Sequence, residues 1–165
     1  MVSERLLTEL NKQMNAEFES AYIYLSMSAF LEDLNMSGMA SWMIVQHNEE
    51  REHALKFFNF IQEINEKPEL DQFSKPKSSW GSILEVFEET LAHEKLITSR
   101  INNLYDIAME EKNYPVKVFL DWFITEQVEE ENVATGILDQ IKMIKDSPQG
   151  LFFLDKELGS RNTSE

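Results

Sequence analysis

Apolar residues recur at alternating spacings of three and four through most of the chain, which predicts amphipathic helices. No stretch alternates with the two-residue period of a half-buried strand, so no sheet is expected. The segments between the few Gly and Pro residues are rich in Leu, Met, Glu, Lys, Gln and Ala, all good helix formers. Four long helices are expected over about Glu4–Asn35, Met39–Glu66, Ser82–Asn113 and Val116–Lys145. A short fifth is expected over about Pro148–Gly159, where Ser147 can cap and Pro148 suits the first helical position. At 1.5 Å per residue, a helix of roughly 30 residues is roughly 45 Å long.

The connections set the topology. Only a few residues join the first helix to the second and the third to the fourth, so each pair forms an antiparallel hairpin. Lys67 to Trp80, with two Pro and three Ser, is long enough to run from one end of a bundle to the other. The expected fold is all-α: a four-helix bundle over about 4–145 with one long crossover, a short C-terminal helix over about 148–159 and a tail over 160–165, forming a single domain. The fifth helix carries Leu151, Phe152, Phe153, Leu154 and Leu158. That face can pack on its own bundle or against neighbouring copies.

One core-facing stripe can be traced in each long helix. The first reads Leu7, Leu10, Met14, Glu17, Ala21, Tyr24, Ser28, Leu31, and the second Met39, Met43, Gln46, Glu50, His53, Phe57, Phe60, Ile64. The third reads Ile83, Phe87, Thr90, Glu94, Ile97, Ile101, Leu104, Ala108, and the fourth Val116, Leu120, Phe123, Gln127, Glu130, Ala134, Ile137, Ile141, Ile144. Each stripe is apolar at both ends and broken near its middle by a glutamate: Glu17, Glu50, Glu94 and Glu130. Side-by-side packing brings these four to a similar height, together with His53, Tyr24 and Gln127. A buried carboxylate normally needs a Lys or Arg partner, because desolvation costs several kcal/mol per ion. No Lys or Arg lies on any of the four stripes. Bound metal is the remaining way to neutralise them.

The donor set narrows the metal. Carboxylates with one imidazole and no thiolate suit Fe(II), Mn(II) or Zn(II) rather than Cu(I). Four glutamates are neutralised by two divalent ions, and Glu50 and His53 form the Glu-x-x-His spacing used by di-metal carboxylate bundles. One ion would have an imidazole and the other oxygen donors only, so unequal affinities are expected. Composition agrees: the net charge is −15, which disfavours nucleic acid and anionic membrane surfaces and favours cations. With no Cys, disulfide scaffolds, thiolate zinc sites and Cys nucleophiles are excluded. MVSERLLTEL has no apolar core of a signal peptide and no apolar run is long enough to span a bilayer, so a cytoplasmic location is expected.

The stretches NAEFESAYIYLSMS, NEEREH, AHEK and FLDWFITEQVEEE are similar to those of ferritins, specifically the bacterial non-haem type, and the resemblance runs from about Leu6 to Gly159. It implies a ferroxidase, storing iron as ferric oxyhydroxide inside a closed shell of roughly 24 subunits. Fe(II) is the substrate and O2 the oxidant, with H2O2 as a further candidate. By this resemblance Glu17, Glu50 and His53 bind the first iron, with Glu50 bridging, while Glu94 and Glu130 complete the second beside Gln127. Tyr24 would hydrogen-bond to the centre and is a candidate electron donor during oxygen reduction, and Glu49, Glu126 and Glu129 would join Glu130 at a third iron site. Trp122 is either a further electron donor or an ordinary core aromatic. His47 and His93, off the stripes, are read as surface or inter-helix residues. Haem is not expected, since Glu130 and Arg51 stand where bacterioferritins carry His and a haem-ligating Met.

Three rivals remain on sequence. A di-iron or di-manganese oxidase acting on an organic substrate would need a substrate pocket. A helical interaction module would leave the carboxylates solvated. A miniature DNA-protecting relative would place its metal between subunits and lack the fifth helix.

Overall fold

A computed structural model describes residues 2–161, and among these the secondary structure is helical throughout. The helices are α1 (Glu4–Asp33), α2 (Ser37–Glu63), α3 (Ile83–Glu110), α4 (Tyr114–Ile144) and α5 (Pro148–Gly159). Their starts follow local chemistry. Ser3, Ser82, Asn113 and Ser147 each cap a helix by accepting a backbone N–H with the side-chain oxygen. Pro occupies the first turn of both α4 and α5, where no donor is lost. Asn35, Asn65 and Lys112 adopt left-handed conformations (φ of 59°, 62° and 54°) just past the ends of α1, α2 and α3. Such a residue terminates a helix by redirecting the chain.

Gly38 departs from the sequence expectation. It was expected to lie in the break before the second helix, yet it sits in the first turn of α2. Its role is spatial: a Cβ there would lie 1.7 Å from the Asp155 carbonyl oxygen of α5. Met36 caps α2 without a side-chain hydrogen bond. Asp155 instead brings an acceptor to that helix start, its Oδ1 receiving the Met39 N–H at 2.8 Å.

The crossover runs beside α1 along most of that helix. Its Glu69 and Asp71 backbone groups are held by Asn11 and Asn15, its Lys77 carbonyl accepts from Ser26, and Trp80 packs edge-on against Phe30 at 5.1 Å. The chain therefore returns to the far end of the bundle before α3 begins. Accordingly α3 is antiparallel to α1, with Ser3 donating to Glu111 and Tyr24 to Glu94. The result is an α1–α2 hairpin and an α3–α4 hairpin joined end to end by one crossover, as expected.

Two apolar blocks fill the interior. One gathers Met27, Leu31, Met39, Met43, Phe87 and Ile141, and the other Leu10, Met14, Phe57, Ile101, Leu120 and Phe123. The polar residues of the stripes form a layer between them. At the helix ends the stripes drift from those traced in sequence. Leu7, Phe60, Ile64, Ile83 and Ile144 are only half-buried, while Leu6, Ile61 and Val86 are fully buried. A straight helix does not keep a strict three-four alternation over many turns, so the face rotates away from the core. Helix α5 divides its apolar residues between the bundle and the surface. Leu154 and Leu158 are buried on their own bundle, whereas Phe152 and Phe153 are 57% and 71% exposed. None of the described helices is long and apolar enough to cross a membrane.

Candidate metal centre

Glu17, Glu50, His53, Glu94, Gln127 and Glu130 are all buried in the mid-bundle layer, together with Tyr24. Four different helices supply them, so the centre exists only when the bundle is packed. Ligand atoms of Glu17, Glu50 and His53 all lie within 4.8 Å of one another, close enough to share one ion. Among the described residues this is the only such group. Glu17 Oε2 and Glu50 Oε2 are buried without a hydrogen-bond partner. Orphaned buried carboxylate oxygens are costly, and here they sit in that group.

The carboxyls are strongly perturbed. Burial raises Glu17 and Glu50 well above the usual range, with carboxylate neighbours adding to the effect. Burial and then the Glu94 charge push Glu130 up to about 7, while the Gln46 hydrogen bond pulls the other way. Glu94 is also raised, again chiefly by burial, although hydrogen bonds from Tyr24 and Gln127 oppose the shift. Without a cation the cluster therefore favours holding protons, which a metal ion would replace.

Glu94 is held by donors. Tyr24 donates to Glu94 Oε1 and Gln127 Nε2 to Glu94 Oε2 at 3.2 Å, so both oxygens of Glu94 are occupied. Burial keeps the Tyr24 phenol protonated and able to donate. His53 is fixed by aromatic walls, edge-on to Trp122 at 5.2 Å and to Phe123 at 5.9 Å. Its Nδ1 lies 3.3 Å from Glu50 Oε2 and its Nε2 3.9 Å from Glu126 Oε1.

The flanking acids behave differently. Glu126 is half-buried beside His53, Glu49 is half-buried, and Glu129 is exposed on α4. Trp122 is not a core aromatic: it is 39% exposed, with Lys56 Nζ 3.2 Å from its ring centroid. Its place one residue before Phe123 turns it to the edge of the bundle. His47 and His93 lie between helices. His47 Nδ1 is 2.7 Å from the Ala21 carbonyl, and His93 Nε2 is 2.7 Å from Ser20 Oγ.

Two supporting chains were not singled out from sequence. Arg100 Nε donates to Gln13 Oε1 at 3.2 Å, and Gln13 Nε2 donates to Glu17 Oε1 at 2.8 Å. Arg161 Nη1 donates to Gln46 Oε1 at 2.6 Å, and Gln46 Nε2 donates to Glu130 Oε2 at 3.0 Å. Each ties a centre carboxylate through an amide to a guanidinium outside the stripes. A Gln one turn before a mid-stripe Glu was a visible signal for Gln13. Arg161 lies past the last periodic segment and left none.

A cleft of about 740 Å³ between α1 and the crossover is lined by residues such as Asn11, Asn15, Glu69 and Arg100, and by no residue of the centre. The centre is thus enclosed by side chains rather than opening into that cleft.

Comparison with known proteins agrees with this architecture. The ferritin family, described as a ferritin-like domain, matches residues 7–144. A probable bacterial non-heme ferritin-like protein of Haemophilus influenzae is 39% identical over 163 residues, covering 99% of each chain. A bacterial non-heme ferritin of Staphylococcus saprophyticus is 39% identical over 165 residues, covering 100% of this chain and 99% of that protein. Among solved structures, an open-pore ferritin of the hyperthermophilic archaeon Archaeoglobus fulgidus is similar with a TM-score of 0.97 and 41% identity, over 98% of this chain and 100% of that one. A humanized archaeal ferritin gives a TM-score of 0.98 at 41% identity over the whole of both chains. With the family match running from α1 to the end of α4, and relatives alike from end to end, this chain belongs to the ferritin family.

Proposed function

We propose that this chain is a ferroxidase subunit of an iron-storage shell, oxidising Fe(II) with O2 at the buried layer and passing the product to a mineral held among many copies. Iron storage follows from membership of the ferritin family. The observation that carries the ferroxidase step is the pair of orphaned oxygens, Glu17 Oε2 and Glu50 Oε2, beside His53. They offer negative charge and lone pairs in a dry interior where a divalent ion is the natural partner.

The residues divide the work. Glu17, Glu50 and His53 take the first Fe(II), while Glu94 and Glu130 take the second, with Glu50 between the two. A pair of Fe(II) ions held there would supply two electrons, the number that with two protons takes one O2 to hydrogen peroxide. Tyr24 and Gln127 orient Glu94 by donating to both of its oxygens. The protons that the raised carboxyls hold before metal arrives are released as the ions bind. Glu49, Glu126, Glu129 and Glu130 form a third, more open position that receives iron leaving the pair. Exposed Phe152 and Phe153 on α5 supply apolar surface for contact between copies.

The test is aerobic addition of excess Fe(II) to the metal-free protein, following oxygen uptake, the ferric absorbance and particle size. Wild type is expected to oxidise iron rapidly and to form large iron-filled particles. Glu17→Ala and His53→Ala should slow the initial rate by at least about tenfold, the scale set by losing a metal-site residue, with particle size kept. Equal initial rates in wild type and both variants would remove the site assignment.

A further inference from the structure

Arg161, just past α5, reaches the acid layer, and the way it is held there is specific. Helix α5 is seated tightly on the start of α2. Besides the Gly38–Asp155 approach, a Cβ on Gly159 would lie 2.8 Å from Gly38 Cα. Two residues beyond Gly159, Arg161 reaches along one face of α2, where Trp42, Gln46 and Glu49 follow one another at spacings of four and three. Its guanidinium carbon lies 4.9 Å from the Trp42 ring centroid. Nη1 donates to Gln46 Oε1 at 2.6 Å and Nη2 to Glu49 Oε2 at 2.7 Å.

That arrangement does two things. It occupies the amide oxygen of Gln46, so the amide nitrogen must face Glu130. It also places a fixed positive charge on Glu49, one of the carboxylates of the third position. The equivalent chain on the other side differs, because Arg100 touches Gln13 and the Lys12 carbonyl but no carboxylate of the layer. Arg161 alone of the two stands where a metal ion would take a ligand.

We infer that Arg161 is a displaceable internal cation for the third position: a divalent ion that takes Glu49 must first expel the guanidinium, so filling that position releases Arg161 from α2. The inference rests on the reading of Glu49, Glu126, Glu129 and Glu130 as a metal position. The pair is suited to exchange. The Arg161 and Glu49 side chains are 27% and 36% exposed, and ion pairs with that access to water are weak. A divalent ion brings twice the charge of a guanidinium to Glu49, and until it arrives Arg161 neutralises that carboxylate.

The test is calorimetric titration of redox-inert Zn(II) into the metal-free full-length protein, comparing wild type with Arg161→Gln, Arg161→Lys, Glu49→Gln and the Arg161→Gln/Glu49→Gln double variant. Wild type is expected to show two tighter steps and a weaker third. In Arg161→Gln the third step tightens roughly two- to fivefold, the scale of an ion pair no longer competing, and the first step, on Glu17, Glu50 and His53, keeps its affinity. Arg161→Lys, which keeps the charge but loses the fork, falls between. Glu49→Gln weakens the third step, and in that background Arg161→Gln brings no gain. A purely structural role for Arg161 would not tighten one step selectively. A third step that is unchanged or weaker in Arg161→Gln, that gains equally in both backgrounds, or that is missing from both wild type and Arg161→Gln overturns the inference. Loss of the two tighter steps from wild type would instead remove the paired-metal reading, while selective tightening of the remaining step would still support Arg161 as the competing cation.

Discussion

Replacing Glu130 with Gln should stabilise the metal-free protein above neutral pH and flatten its stability profile. Glu130 is 7% exposed, and burial followed by the Glu94 charge lifts its carboxyl from 4.5 to about 7. Between those values the folded chain holds a proton that the unfolded chain has released. The contribution of this group to stability is therefore fully present below pH 4.5 and lost as pH rises to about 7. At 1.36 kcal/mol for each tenfold change in proton affinity, the loss amounts to about 3 kcal/mol. Gln has the same shape, cannot ionise, and can still accept from Gln46 Nε2. Thermal melts of both metal-free proteins from pH 5 to 8.5 make the comparison. The variant should melt higher by up to roughly 6–12 °C at the alkaline end, at about 2–4 °C per kcal/mol for a chain of this size, with the gap closing toward pH 5. Saturating Zn(II) should reverse the order, because the intact carboxylate set binds the ion more tightly and gains more from it. Melting curves that run parallel across the range, or a variant less stable at pH 8, would refute the reasoning.

Two further outcomes follow from the geometry. Anaerobic Fe(II) titration should resolve two unequal affinities in the pair, since Glu17, Glu50 and His53 are already gathered around one point whereas both Glu94 oxygens are engaged by Tyr24 and Gln127; two equal, tight sites would contradict this. Gly38→Ala should unseat α5, because its Cβ would meet the Asp155 carbonyl at 1.7 Å; a loss of about 1–3 kcal/mol and altered size-exclusion behaviour are expected, and an unchanged melt and elution would count against the seating described.

The middle of each stripe was legible because an acid inside an apolar row is conspicuous and its alternatives are few. Glu17, Glu50, Glu94 and Glu130 are indeed brought together in one layer, with His53, Tyr24 and Gln127 beside them. The ends were less legible. Leu6 replaces Leu7 and Ile61 replaces Phe60 as the buried residue, because periodicity fixes a face only to about one position near a helix terminus. Gly38 read as a break because Gly ordinarily interrupts helices; only the approach of α5, far away in sequence, explains it. Arg161 and Arg100 were invisible for the same reason. Both act across more than 80 residues, and neither lies on a stripe.

The sandwiching of the acid layer between two separate apolar blocks has a consequence for turnover. Folding energy comes from the greasy regions above and below, on both sides of the carboxylates. The scaffold can therefore stand while its ions come and go, unlike a zinc finger, which melts when stripped. Such a chamber can be filled and emptied without endangering its walls, and transit rather than retention becomes its natural mode.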